Sequence, residues 1–273
     1  MAFTAHFEKE VLFHTSSVLE HEEIVHGFST RVGGVSTGPF ASLNLRISCG
    51  DEAQRVTENY RRFCAALGTQ AERCVLSKQV HEDTVRVVSA SDAGKGLLAS
   101  RDYSADALIT NEPGLNLMVF SADCGIFLFH DPVTRCIGAV HAGWRGTALG
   151  LPAKMVAEMG RLYGAKPENI RVAVGAGIGP CCFETDDDVP DAMRKAFGDG
   201  VTAYFEKRGA KWHIDLQEIN LWQLRSAGIR AEHLDACKLC TACHSELYWS
   251  HRIVGDKRGV QAAMIGLKGG ERA

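Results

Sequence analysis

Between residues 107 and 140 four short apolar runs follow one another, at 107–110, 115–120, 126–129 and 136–140, with little between them except turn residues. Runs of four to six residues are too short for helices. Bounded by turns in this way, they predict strands with at least one buried face. Closely spaced strands must build a sheet, and residues at their ends can point into a shared cleft. Two chemically active side chains occupy such ends. Cys124 sits in the break between the second and third runs, at Asp123-Cys124-Gly125, and His141 follows the fourth.

The flanking sequence mixes helix and strand without regular alternation. Residues 51–67 predict a helix ended by Gly68, with Val56, Tyr60, Phe63 and Leu67 on one face. Residues 147–163 predict a second, with Met155, Val156, Met159 and Leu162 on one stripe and Pro152 tolerated in its first turns. Shorter helices are expected at 189–197 and 216–227, and further strands at 75–88, 170–174 and 260–267. His81 falls inside or at the end of the 75–88 strand. No internal repeat or low-complexity linker divides the chain. The expectation is a single domain over residues 1–273, of mixed α/β (α+β) class, with a mixed sheet flanked by helices.

Charge and hydropathy narrow the partners. A formal net charge of −3 supplies no basic excess for nucleic acid, and no apolar run approaches the ~20 residues a membrane span needs. The amino terminus has no basic segment followed by an apolar core, which predicts a cytoplasmic protein. In that compartment the ten cysteines should be thiols, some able to bind metal. Cys64 and Cys136 lie in apolar patterns and read as core.

His81, Cys124 and His141 are the chemically interesting set. Two imidazoles and one thiolate suit zinc, and three protein ligands leave the fourth tetrahedral position open. Asp123 beside Cys124 would orient a ligand or cap its turn. In His141-Ala142-Gly143-Trp144-Arg145-Gly146, Trp144 would wall an aromatic substrate and Arg145 would hold an anion, or both would simply complete a strand-to-helix turn. Gly175-x-Gly177-x-Gly179 is not a dinucleotide fingerprint, because Pro180 follows, but its turn could cradle an oxyanion. His130, in period-two phase with Cys124, is a reserve ligand. Cys181 and Cys182, beside that glycine turn, could join a site, with core packing the simpler reading. Cys237-x-x-Cys240-x-x-Cys243-His244 has metal-like spacing; reduced thiols in a loop are the simplest account, with a structural zinc or iron–sulfur site left open.

Taken together, these segments resemble the YfiH-type proteins, once described as multicopper polyphenol oxidases or laccase-domain proteins. The resemblance rests on an ordered series of motifs along nearly the whole chain. They are His26-Gly27-Phe28-Ser29-Thr30-Arg31-x-Gly33-Gly34-Val35-Ser36, Ser42-Leu43-Asn44-Leu45, Gln79-Val80-His81, Ala105-Asp106-Ala107, Ala122-Asp123-Cys124, the His141–Gly146 segment, Gly177-Ile178-Gly179-Pro180-Cys181-Cys182-Phe183-Glu184 and Cys240-Thr241. The resemblance implies that His81, Cys124 and His141 bind one metal, usually regarded as zinc. It also implies phosphorolysis of adenosine, inosine, guanosine and methylthioadenosine by inorganic phosphate, and deamination of adenosine. Departures from the pattern occur at Gly125-Ile126, where a proline is common two places after the cysteine, and at Gly259-Val260, where Gly-Arg is common. On this basis Cys124, Asp123 and Arg145 are candidate catalytic residues, and Arg31, Asn44, Arg61 and Gly179 candidate contacts to phosphate or ribose. Rival expectations are a copper-dependent polyphenol oxidase, since a soft Cys/His site can take copper, and a non-catalytic nucleoside-binding protein. The absence of any His-x-His pair in the sequence argues against a multicopper cluster.

Overall fold

The structure, a computed structural model, describes residues 2–269. Its strands, in chain order, begin with β1 (Phe3–Glu8), β2 (Val11–Ser16), β3 (Ile24–Ser29), β4 (Cys74–Leu76) and β5 (Val85–Val87). The central ones are β6 (Ala107–Thr110), β7 (Asn116–Ser121), β8 (Gly125–Asp131), β9 (Cys136–Ala142) and β10 (Arg171–Val174). The last are β11 (Glu184–Thr185), β12 (Phe205–Arg208), β13 (Lys211–Ile214), β14 (Leu234–Ala236) and β15 (Gln261–Leu267). The helices are α1 (Ala53–Ala66), α2 (Trp144–Ala148), α3 (Leu151–Tyr163), α4 (Asp188–Phe197), α5 (Leu216–Ser226) and α6 (His251–Val254).

The mixed α/β class expected from the sequence holds, with the strands divided between two six-stranded sheets and a small third one. The first sheet has the order β1-β2-β3-β15-β7-β4 and the second β14-β10-β8-β9-β6-β5, while β11-β13-β12 form the third. Pairing is mixed: β4 lies parallel to β7, β5 to β6 and β10 to β14, and the other pairs of the two large sheets are antiparallel.

Period-two alternation explains how the sheets stack. Leu117 and Val119 of β7 face Ile126 and Leu128 of β8 in the core between the sheets, with Phe28, Leu108, Ile137, Ala139 and Ile265. The intervening residues turn outward to the helices. Phe127 and Phe129 pack with Leu151, Met155 and Met159 of α3 and Leu224 of α5. Met118 and Met264 pack with Val56, Tyr60 and Phe63 of α1 and with Trp249. The layers are therefore helix, sheet, sheet, helix. Both faces of the central strands are buried, and each large apolar side chain there contributes roughly 1.5–3 kcal/mol.

Two local expectations are corrected. The 75–88 strand is interrupted, because residues 77–84 peel away between β4 and β5. There the Gln79 side chain replaces a strand partner, its amide donating to Phe120 O at 2.8 Å and its carbonyl accepting from Phe120 N–H at 2.7 Å. The 147–163 helix starts earlier, at Trp144, and breaks at Gly150, whose left-handed φ of 71° separates α2 from α3. Strands β1–β3 lie where no strand was expected. Among the described residues no helix is long and apolar enough to cross a membrane.

The loop that follows β3 is held by backbone proximity. A Cβ on Gly34 would lie 2.1 Å from Ser42 O and 2.4 Å from the Leu43 Cα, and backbone cannot retreat as a side-chain tip can. Gly34→Ala is expected to lower the unfolding free energy by about 1–3 kcal/mol, read from the urea midpoint. An unchanged midpoint would show that the loop yields freely.

Candidate metal centre

Sheet register brings the ligand residues together. β8 and β9 pair with Gly125 opposite Ala142 and Ile126 opposite His141, so Cys124 leaves the open end of this hairpin beside His141. β6 runs on the other side of β9 with Ala107 opposite Val140, which sets Asp106 against His141. The His141 N–H donates to the Asp106 carbonyl at 2.8 Å, and His141 Nδ1 lies 2.9 Å from Asp106 Oδ1. β5 is parallel to β6 and returns residues 80–82 to the same place. The backbone N–H groups of Val80 and Glu82 donate to Asp106 Oδ2, both at 3.0 Å, and that of His81 to Oδ1 at 3.1 Å. One buried carboxylate thus fixes both histidines, His141 by its ring and His81 by its backbone.

Two residues at this junction are strained. His81 and Asp123 adopt left-handed backbone angles, φ 64° and 89°. Such conformations cost non-glycine residues of order 1–3 kcal/mol and persist where surroundings over-determine them. Here the surroundings are specific. Asp106 holds the His81 backbone, while Asp123 is tied by Thr241 Oγ1 donating to Oδ1 at 2.6 Å and Arg252 N–H donating to Oδ2 at 2.7 Å.

The three ligand atoms suit one small metal ion. Cys124 Sγ is 3.9 Å from His81 Nε2, the two imidazoles meet edge to face at 4.9 Å, and one ligand atom from each residue falls within 4.8 Å of the others. Tetrahedral zinc with the usual bond lengths separates such ligands by about 3.3–3.8 Å, so a small contraction closes the set. Because Nδ1 of His141 is engaged by Asp106, its Nε2 is the atom left to bind. Gly143 keeps space beside the ligands, since a Cβ there would lie 2.9 Å from Cys124 Sγ and 3.2 Å from the His81 ring.

Electrostatics favour the thiolate form of Cys124. Burial alone would raise the Cys124 thiol, but the charge and hydrogen bonds of His141 and the bond from His81 outweigh it and bring the pKa down to about 6. Burial alone would lower His141, but Cys124 and Asp106 raise it to about 9. Asp106 itself stays ionised: burial opposes its charge, while His141 and the N–H groups of Glu82 and Val80 hold it below the ordinary carboxylate value. These mutual shifts favour a thiolate on Cys124 and a proton on His141 beside the Asp106 carboxylate.

The set opens into a cleft of about 450 Å³. Trp144, Phe183, Ile178 and Leu216 form its less polar walls, and Arg145, Arg252 and Arg258 line it with positive charge alongside Asp123 and Asp256. Arg145 stacks over Trp144 at 4.3 Å. Arg252 donates to the carbonyls of Cys182 and Glu184 at 3.1 and 3.0 Å. Arg258 Nε is buried with no protein partner, and burial together with repulsion from Arg46 lowers the guanidinium pKa.

Of the residues singled out in the sequence, His81, Cys124, His141, Asp123 and Arg145 meet here. The four expected substrate contacts do not line this cleft. Arg31 spends its guanidinium on the carbonyls of Ala41 and Ser245 and stacks 4.0 Å over Trp249. Asn44 is buried, bonded to Asp51 and to Arg46 N–H, and Arg61 is exposed on α1. The Gly179 N–H points at Cys240 Sγ, 3.2 Å away, so it cannot cradle an anion. Asp123 braces loops and does not touch a ligand ring. His130 lies at the far end of β8, roughly 20 Å along the strand from Cys124, and packs against His21. Asp106, Arg252, Arg258 and Phe183 were given no role from the sequence, although Asp106 and Phe183 stand within motifs of the resemblance.

Residues 25–268 match the family model described as multi-copper polyphenol oxidoreductase laccase. The chain belongs to this family. A relative from Geobacillus stearothermophilus, named purine nucleoside phosphorylase YlmD, is 37% identical over 247 residues, 89% of this chain and 90% of that protein. A Deinococcus radiodurans protein named purine nucleoside phosphorylase is also 37% identical, over 89% of each chain. The crystal structure of a Bacillus licheniformis protein described as hypothetical protein YfiH superposes with a TM-score of 0.90 at 34% identity, covering 97% of this chain and 99% of that one.

The charge pattern predicts how metal affinity follows pH. Binding needs a thiolate and neutral imidazoles, so between pH 6 and 9 the ion displaces the His141 proton, and below pH 6 the Cys124 proton as well. The logarithm of the zinc association constant should rise by about one per pH unit between pH 6 and 9, and more steeply below 6, in chelator competition. A flat profile from pH 6 to 9 would contradict the thiolate–imidazolium pair. Asp106→Asn should weaken zinc binding by about 10–100-fold; wild-type affinity would show that the carboxylate does not organise the ligands.

Proposed function

We propose that the chain is a zinc-dependent purine nucleoside phosphorylase that takes adenosine, inosine, guanosine and methylthioadenosine, and that it also deaminates adenosine. The observation that supports this most is the juxtaposition of His81, Cys124 and His141 with a cleft that offers both aromatic wall and positive charge. The names of the relatives supply the substrate class. A cleft of about 450 Å³ is of a size to enclose a nucleoside.

In this proposal the purine lies against Trp144 and Phe183, where a flat apolar ring gains most from leaving water. Phosphate binds among Arg145, Arg252 and Arg258 through charge-assisted hydrogen bonds. A phosphate oxygen then forms a bond to the ribose anomeric carbon as the glycosidic bond breaks, and the electron pair leaves with the base. The arginines hold the nucleophile in line and keep water from competing for the same carbon. A zinc ion held by His81, Cys124 and His141 would supply Lewis acidity at its open position, for the phosphorolysis and for activating water in deamination. Copper fits the same soft donors, so phenol oxidation is a competing outcome of the same site and is measured in parallel.

The test follows hypoxanthine from inosine plus phosphate, and inosine from adenosine alone, by chromatography. Cys124→Ala should abolish metal binding at this site and both products together. Arg258→Ala should raise the KM for phosphate by about 10–100-fold, the value of a charged hydrogen bond, with little change in the KM for nucleoside. Zinc at full occupancy with no purine product, or phenol oxidation as the sole activity of the copper-loaded protein, would overturn the proposal.

A further inference from the structure

A second set of ligand-type side chains lies outside the cleft and is unused by the chemistry above. Cys181, Cys182, Cys240 and Cys243 bring their four sulfurs within 4.8 Å of one another. They come from two loops, residues 179–183 after β10 and residues 240–243 after β14. The loops are already joined by a parallel bridge between Gly177 and Cys240 and by Thr241 N–H donating to Gly177 O at 3.0 Å.

We propose that these four cysteines hold a single zinc ion in a tetrathiolate site that fastens the outer wall of the cleft. Three observations carry this. The spacing is that of one ion: zinc–sulfur bonds of about 2.3 Å place tetrahedral sulfurs about 3.8 Å apart, and Cys243 Sγ lies 3.5 Å from Cys181 Sγ and 3.4 Å from Cys182 Sγ. A disulfide needs one close partner, whereas here two sulfurs approach the third equally, as the corners of a tetrahedron do. The turn is that of a metal knuckle: the N–H of Gly179 donates to Cys240 Sγ at 3.2 Å, and those of Ala242 and Cys243 turn to the same sulfur, a pattern that offsets thiolate charge. The nearby residues that simple spacing would recruit are engaged elsewhere. Cys237 is buried against Ala176 and Tyr248, and His244 Nδ1 faces Glu246 at 3.4 Å.

The site would act on the cleft by position. Ile178 and Phe183, which line the cleft, flank the first pair of ligands. Cys182 O accepts from Arg252, and Thr241, next to Cys240, bonds the strained Asp123 beside Cys124. On binding, zinc replaces the thiol protons, which pass to solvent, and no change of oxidation state occurs.

Metal content tests this independently of activity. Protein purified under reducing conditions and loaded with zinc should carry two ions per chain, Cys124→Ala one, Cys243→Ser one, and the double variant none. Cobalt-loaded Cys124→Ala should keep intense thiolate-to-cobalt absorption, which Cys124→Ala/Cys243→Ser should lose. Chelator should lower the melting temperature of Cys124→Ala and leave that of the double variant unchanged. Should Cys243→Ser fail to fold by circular dichroism, Cys181→Ser, at an exposed position, gives the same reading. A single zinc in the wild type that Cys124→Ala removes, or zinc content unaffected by the Cys243 and Cys181 changes, would overturn the proposal. So would a disulfide from Cys243 to Cys181 or Cys182 in the zinc-treated, reduced protein.

Discussion

The candidate centre depends on one buried carboxylate. Asp106 is fully enclosed, yet it carries a charge, because His141 Nδ1 and the N–H groups of Val80, His81 and Glu82 surround it. A buried ion without such partners would be costly; with them it becomes a fixed point from which both histidines are aimed. It presents Nε2 of His141 to Cys124, and it holds His81 in a backbone conformation that the residue would otherwise avoid.

Sheet topology explains why these groups meet at all. The chain leaves the first sheet at Ser121, crosses to the second through Ala122-Asp123-Cys124, and runs out and back along β8 and β9. The crossing and the hairpin's open end coincide, so Cys124 and His141, 17 positions apart in sequence, become neighbours. The strands beneath are buried on both faces, which leaves the rim little freedom to drift. Around that rim the less regular loops supply the cleft: α2 brings Trp144 and Arg145, the loop after β10 brings Ile178 and Phe183, and the segment around α6 brings Arg252 and Arg258. The loop after β10 also carries Cys181 and Cys182, which cluster with Cys240 and Cys243 of the loop after β14.

Much of this was legible in the residues, unevenly. The strands from 107 to 140 were, because buried strands announce themselves as short apolar runs between turns. His81, Cys124 and His141 stood out as metal-ligand types at the ends of such runs. Asp106 did not, because its importance lies in contacts with two segments distant in sequence, residues 80–82 and His141. The strand expected over 75–88 failed where a side chain, Gln79, does the work of backbone pairing, which alternation cannot register. Arg31 and Asn44 carry groups suited to phosphate and ribose, but loop packing consumes them first. The cysteine spacing at 237–243 marks a loop that supplies two of the four clustered thiols, Cys240 and Cys243. Cys181 and Cys182 reach Cys240 and Cys243 only through the bridge between Gly177 and Cys240, a long-range contact.

The central claim is that His81, Cys124 and His141 form one metal site opening into a purine-binding cleft. Anomalous diffraction at the zinc edge tests it most directly, on crystals grown with zinc, hypoxanthine and phosphate. The account predicts a peak about 2.0–2.3 Å from His81 Nε2, His141 Nε2 and Cys124 Sγ, with the purine ring against Trp144 and Phe183 and phosphate at Arg258. An ordered purine elsewhere, or no zinc peak between these three side chains, would contradict it.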